Sequence, residues 1–135
     1  MGRQIILDTG VLIAAEKRKL MLRSIIGHDE PCISALTAME LLLGVERWAP
    51  AQRDERALRI EGYFVAFPLE PYTLDVARMH ASLSSHVHAI GRPRSAHDLI
   101  IAATAAVTGR TLLTTDKAAA FDELPGVNAE VVEVS

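Results

Sequence analysis

Short apolar runs alternate along this chain with longer stretches in which apolar residues recur every three or four positions. The run at 5–7 is continuous and apolar, as in a buried strand. Similar short runs predict strands over 32–34, 65–69, 111–114 and 129–134. Pro68 puts the third of these at a sheet edge or strand end, and polar alternation puts the last at an edge. Helical spacing predicts helices over 9–15, 20–26, 37–48, 51–64, 71–88 and 95–108, with a short one over 117–121. Pro50 suits a first helical turn, Glu55 and Arg59 form a supporting pair four apart, and Gly109 is a C-cap signal. Strands alternating with helices predict an α/β fold around a central, mostly parallel sheet.

Composition narrows the class. A chain of 135 residues is one domain of ordinary size, and 50% hydrophobic residues supply a real core. Aromatics are only 4%, so aliphatic packing must dominate. No stretch reaches the ~18 uninterrupted apolar residues of a membrane span. The first apolar run is broken by Asp8, which is not a secretory pattern. Cys32 is the single cysteine, so no internal disulfide can form. It reads as a buried strand residue in a reducing compartment, with a reactive thiol as the minor alternative, and the expected location is the cytoplasm.

Four acids break the hydrophobic pattern. Asp8 lies inside Ile5-Ile6-Leu7-Asp8-Thr9-Gly10-Val11-Leu12-Ile13, and Glu40 inside Ala38-Met39-Glu40-Leu41-Leu42-Leu43. Asp98 heads Asp98-Leu99-Ile100-Ile101-Ala102-Ala103, and Asp116 follows Leu112-Leu113-Thr114-Thr115. A buried charge is tolerated when it is paired, protonated or bound to metal. Asp8 and Asp116 follow strands, where open parallel sheets bind ligands. Glu40 and Asp98 fall in first turns of predicted helices. All four can reach one rim, and four acids on one rim need cations, which points to a hard divalent metal. Each acid also has a structural reading. Thr37 to Glu40 fits a capping box, Ser95 to Asp98 a capping pattern, Asp8 a helix start and Asp116 a turn. The structural readings need four separate coincidences and the metal needs one cause.

Net charge is −3, and discounting the four acids leaves +1 on the rest, so overall charge does not exclude a phosphate-bearing substrate. The basic clusters Lys17-Arg18-Lys19 and Arg92-Pro93-Arg94 are candidates for nucleic-acid backbone contacts, or are simply solvated loop charges. Zinc spacing is missing among the five histidines and the lone cysteine, and they read as surface or core residues. There is no G-x-S-x-G, Walker A or G-x-G-x-x-G pattern. An aspartyl-phosphate mechanism through Asp8 would want a second acid two residues later, where Gly10 stands.

The ordered set of motifs resembles PIN-domain ribonucleases of the VapC toxin type. It is carried by Leu7-Asp8-Thr9-Gly10-Val11-Leu12-Ile13-Ala14, Thr37-Ala38-Met39-Glu40-Leu41-Leu42-Leu43-Gly44, His97-Asp98-Leu99-Ile100-Ile101-Ala102-Ala103-Thr104-Ala105, Leu112-Leu113-Thr114-Thr115-Asp116 and Phe121-Asp122-Glu123-Leu124-Pro125-Gly126-Val127. The resemblance implies a three-layer α/β/α fold and an endoribonuclease dependent on Mg2+ or Mn2+. It also implies a homodimer held in check by a cognate VapB-type antitoxin, and products with 5′-phosphate and 3′-hydroxyl ends. Asp8, Glu40 and Asp98 would then hold the principal ion, and Asp116, which is Asn in some relatives, would hold a second ion or orient water. Thr9 and Thr114 would support these acids by hydrogen bonds. Lys17, Arg18, Arg92 and Arg94 would meet RNA. A structure-specific DNA nuclease and a non-catalytic RNA- or protein-binding module are the alternatives.

Overall fold

In the computed structural model, which describes residues 2–134, the strands are β1 (Gln4–Leu7), β2 (Glu30–Ser34), β3 (Leu69–Glu70), β4 (Thr111–Thr114) and β5 (Ala129–Val131). The helices are α1 (Thr9–Glu16), α2 (Leu22–Ile26), α3 (Ala35–Glu46), α4 (Pro50–Ala66), α5 (Leu74–Ala89) and α6 (Ala96–Thr108). The strands form one sheet in the order β3-β2-β1-β4-β5, with every neighbouring pair parallel. The chain winds outward from β1 to β3, then restarts on the other side of β1 with β4. The β1–β4 boundary is therefore the point where strand order reverses, and a crevice opens there outside the carboxyl ends.

Strand side chains alternate between faces, and this builds two cores. Ile6, Cys32 and Leu112 pack with Val76, Leu83 and Val87 of α5 and with the inner face of α6. Ile5, Leu7, Ile33 and Leu113 pack with α1, α3 and Ile60 of α4. Both faces are covered, which is why the strands read as uninterrupted apolar runs. The result is the expected α/β/α sandwich. Burial pushes the Cys32 thiol up to about 11, so it packs as a core side chain and not as a nucleophile. Among the described residues no helix is long and apolar enough to cross a membrane.

Several boundaries differ from expectation, and three of them bear on the sheet and the site. β2 begins at Glu30 and so takes in Pro31. The Glu30 amide donates to Arg3 in the β1 direction, so the next nitrogen, that of Pro31, faces the other side. There β3 pairs only with Ile33 and Ser34, and the missing N–H leaves no ladder bond unmade. The segment from 65 onward stays helical to Ala66, leaving β3 as a two-residue edge strand beyond Pro68. Lys117 to Ala120 is not helical, and a single 3-10 turn follows at Phe121–Glu123.

Candidate active site

The first acid is fixed by the end of its own strand. Asp8 is the N-cap of α1: its Oδ1 accepts from the Thr9 amide at 2.9 Å. Its Oδ2 accepts from the Thr114 hydroxyl at 2.8 Å, so β1 and β4 are tied together at the reversal point. The helix-start reading of Asp8 therefore holds, and the same carboxylate lies at the carboxyl end of the sheet. The close approach needs Gly10. A Cβ there would lie 2.6 Å from Thr115 Oγ1, closer than real side chains come. Gly10→Ala is expected to displace the Thr115 side chain at the end of β4, lowering stability by about 1 kcal/mol. A melting curve and an activity assay on that variant check it, and an unchanged melting temperature would refute the packing role.

Glu40 is not a capping-box residue. The N-cap of α3 is Ser34, whose Oγ accepts from the Thr37 amide at 3.0 Å. The actual cap thus lies three residues before the expected one, and Glu40 sits in the second turn of α3 with its carboxylate free of capping. Oε1 accepts from the Thr9 hydroxyl at 2.8 Å, and Oε2 lies 3.1 Å from His97 Nδ1. Behind Thr9, the Thr37 and Ser34 hydroxyl oxygens follow at 3.2 Å each, forming a buried chain of three hydroxyls that ends on Glu40.

Asp98 lies in the first turn of α6, which Ser95 caps as expected by accepting from the Asp98 amide at 3.1 Å. Asp116 follows β4. Its amide donates to Thr114 Oγ1 at 3.1 Å, and its Oδ1 accepts from the Ala119 amide at 3.2 Å. Burial, above all, raises the Asp8 carboxyl above its ordinary range. The Thr114 and Thr9 hydrogen bonds oppose this, while the charges of Asp98 and Glu40 add to it. Asp98 is raised in the same way, first by burial and then by the charges of Asp116 and Glu40. The four predicted acids thus share one electrostatic neighbourhood at the carboxyl end of the sheet.

They do not form a closed cage. Among the described residues no group of three or more His, Cys, Asp or Glu is gathered tightly enough to hold a metal ion as it stands. The donors still suit Mg2+ or Mn2+. All are hard oxygens, Asp8 and Asp98 pay for burial with raised pKa values that a cation would relieve, and Mg2+ commonly uses one or two carboxylates with water and substrate phosphate completing its shell.

The basic candidates separate. Lys17 and Arg18 follow the far end of α1, about 12 Å along the helix from Asp8 at 1.5 Å per residue. They lie away from the acids. Arg92 is exposed and ion-paired with Glu123 at 3.0 Å. Arg94 is nearly buried, and its guanidinium donates to Ala119 O at 2.6 Å and Ala120 O at 3.3 Å. It braces the loop after Asp116. His97 is a surface histidine, as the sequence allows, and its ring also lies against Glu40. Its neighbourhood with Asp98 was visible, but the packing of α3 beside α6 was not.

The PIN-domain family model matches residues 5–127 of this chain. Ribonuclease VapC5 of Mycobacterium tuberculosis is 35% identical over 113 residues, which is 82% of either chain. Among solved structures, the VapBC-5 toxin–antitoxin system of Mycobacterium tuberculosis shares 28% identity and a TM-score of 0.77, over 96% of this chain and 98% of that one. VapBC2 of Rickettsia felis, bound to a DNA fragment from its promoter, superposes with a TM-score of 0.86 at 17% identity, over 96% and 99%. The last likeness speaks for the fold alone.

Proposed function

The chain belongs to the PIN-domain family and, within it, to the VapC group, and on that premise we propose that it is a metal-dependent endoribonuclease, the toxin of a toxin–antitoxin pair. The observation that carries the reading is the shared electrostatic neighbourhood of Asp8, Glu40, Asp98 and Asp116 at the carboxyl end of the sheet. Relatives of the chain are named as ribonucleases, and one of the structures it matches is a VapBC complex.

Asp8, Glu40 and Asp98 would hold Mg2+ or Mn2+, with Asp116 holding a second ion or orienting the attacking water. Bound there, the metal would lower the pKa of water and offset charge on the attacked phosphate. The protein's own part is orientation. Thr114 and the Thr9 amide fix the two Asp8 oxygens, and the Thr9 hydroxyl and His97 fix those of Glu40. Held carboxylates lose little freedom when a cation arrives. The N-termini of α1 and α6 both face this rim and add partial positive charge for a phosphate. In-line attack would release 5′-phosphate and 3′-hydroxyl ends. The test is incubation of RNA with the purified chain plus Mg2+, Mn2+ or EDTA. Fragments formed only with metal support the reading, and metal-independent cleavage or none overturns it.

Two surfaces suit the proposed partners. A groove of about 670 Å3 between the α1–α2 connection and α4 has Leu20, Leu22 and Tyr63 along it and Arg18 and Arg23 at its rim. An amphipathic antitoxin tail with acidic residues fits that combination. On α3, Met39, Leu42 and Leu43 are exposed side by side with Ala35 and Ala38. This patch carries one charge, Glu46, and suits a second copy of the same chain across a two-fold axis. Light scattering is expected to find a dimer for the native chain and a monomer for Leu42→Glu. A native monomer at tens of micromolar would sink the dimer.

A further inference from the structure

A cavity of about 320 Å3 opens beside Asp116, at the end of β4. Thr114 and Asp116 close it on the side of the acids, so it continues the active-site rim. Ala120 and Phe121 form one wall. Ala129 and Val131 line it too, and they share a face of β5 because strand side chains alternate. The volume is at the lower end of the ~300–1,000 Å3 typical of ligand pockets, enough for one flat ring system.

The walls are set in advance. Arg94 holds the carbonyls of Ala119 and Ala120 and pairs with Glu123 at 3.2 Å. Ala120 has φ +47°, a left-handed backbone that alanine adopts only under constraint. A preformed slot loses little entropy when it is filled. Its rim is polar and underused. Asp122 is exposed and makes no hydrogen bond or ion pair among the described residues. Lys117 has one ion pair, with Glu133 at 3.5 Å, and both side chains are largely in solvent.

We propose that this slot seats one unpaired base of the RNA substrate, guanine before the others, next to the bond that is cut. The proposal rests on the ribonuclease reading above. Apolar walls take the faces of a splayed base, the usual mode of single-stranded RNA recognition. Asp122 offers two acceptor oxygens. Guanine presents two adjacent N–H donors on its pairing edge, whereas uracil presents one donor between two carbonyls that a carboxylate repels. Lys117 attracts the flanking phosphate. A peptide guanidinium would offer the same two donors, but it has less flat apolar surface and meets repulsion from Lys117.

The test uses 15N-labelled full-length chain titrated with GMP, AMP, CMP and UMP, and separately with arginine amide. GMP is expected to shift the amides of Ala120, Phe121, Ala129 and Val131 saturably, and more tightly than UMP by about tenfold or more. Asp122→Asn is expected to erase that preference, and Val131→Phe, at an exposed position, to fill the slot and abolish the shifts. If Val131→Phe fails to fold, Asp122→Asn alone decides. Equal affinity for all four nucleotides, no shifts at these amides, or the same GMP affinity in Asp122→Asn overturns the proposal. So does tighter binding of arginine amide at the same amides, which would assign the slot to a peptide. A chain that binds GMP here but cuts no RNA would overturn the ribonuclease reading and leave the slot standing. Metal-dependent cutting without GMP binding would do the reverse.

Discussion

Asp8→Asn is expected to reduce RNA cleavage by more than about 100-fold, beyond what losing a ligand's outer hydrogen-bond partner costs, while the fold becomes no less stable. The two halves of this expectation have one cause. The Asp8 carboxyl is raised in the folded chain, mainly by burial. A raised acid contributes stability that is complete below its unfolded pKa and is lost as pH climbs through its folded pKa. At neutral pH the ionised form therefore opposes folding. Asparagine removes that charge, keeps an oxygen to accept from the Thr9 amide and turns its NH2 to the Thr114 hydroxyl, whose oxygen can accept. The same sign applies to Asp98, so the native chain is expected to lose stability as pH rises from the unfolded aspartate range through the raised values. Thermal melts against pH for native, Asp8→Asn and Asp98→Asn chains measure it. Mn2+ should raise the melting temperature of the native chain and leave Asp8→Asn nearly unmoved. A variant that keeps full cleavage would remove Asp8 from the metal site. One that loses cleavage together with several degrees of melting temperature would show a structural role instead.

The second large effect lies away from the acids. Glu16, at the end of α1, has a side chain only 3% exposed, and among the described residues its one ion pair is with Arg56 Nη1 of α4 at 2.8 Å. The charges touch, yet among the described residues neither Glu16 oxygen accepts an aligned hydrogen bond. The attraction is therefore Coulombic contact without the hydrogen bonds that would compensate full desolvation. Arg56 also lies 4.2 Å over the Trp48 ring, so its position is set by packing as well as charge. Arg56→Leu leaves a buried carboxylate alone and is expected to destabilise the chain by about 3–5 kcal/mol. Glu16→Leu combined with Arg56→Leu is expected to recover most of that loss. Urea unfolding of the single and double variants decides it, and additive losses would mean the two side chains are not coupled.

The sheet and the acids were readable in the sequence for the same reason. A strand buried on both faces shows as an unbroken apolar run, and a carboxylate inside or just after such a run stands out. What stayed hidden depended on distant partners. Lys117 to Ala120 has strong local helix propensity, but Ala120 turns left-handed at φ +47°, and Arg94, more than twenty residues earlier, holds the carbonyls of Ala119 and Ala120 in that turn. Ser34 reads as the end of a strand and also caps α3, which moved the helix start and released Glu40 from the capping box. Nothing near His97 announces Glu40, because the two meet only through the packing of separate helices.

The buried run of hydroxyls behind Glu40 has a direction. Each hydroxyl has one proton to give. Glu40 as an anion can only accept, so Thr9 gives its proton to Glu40, Thr37 then gives to Thr9, and Ser34 to Thr37. The three dipoles line up head to tail and strengthen one another toward the carboxylate. Ser34, at the mouth of β2, is therefore electrically connected to a charge it never touches.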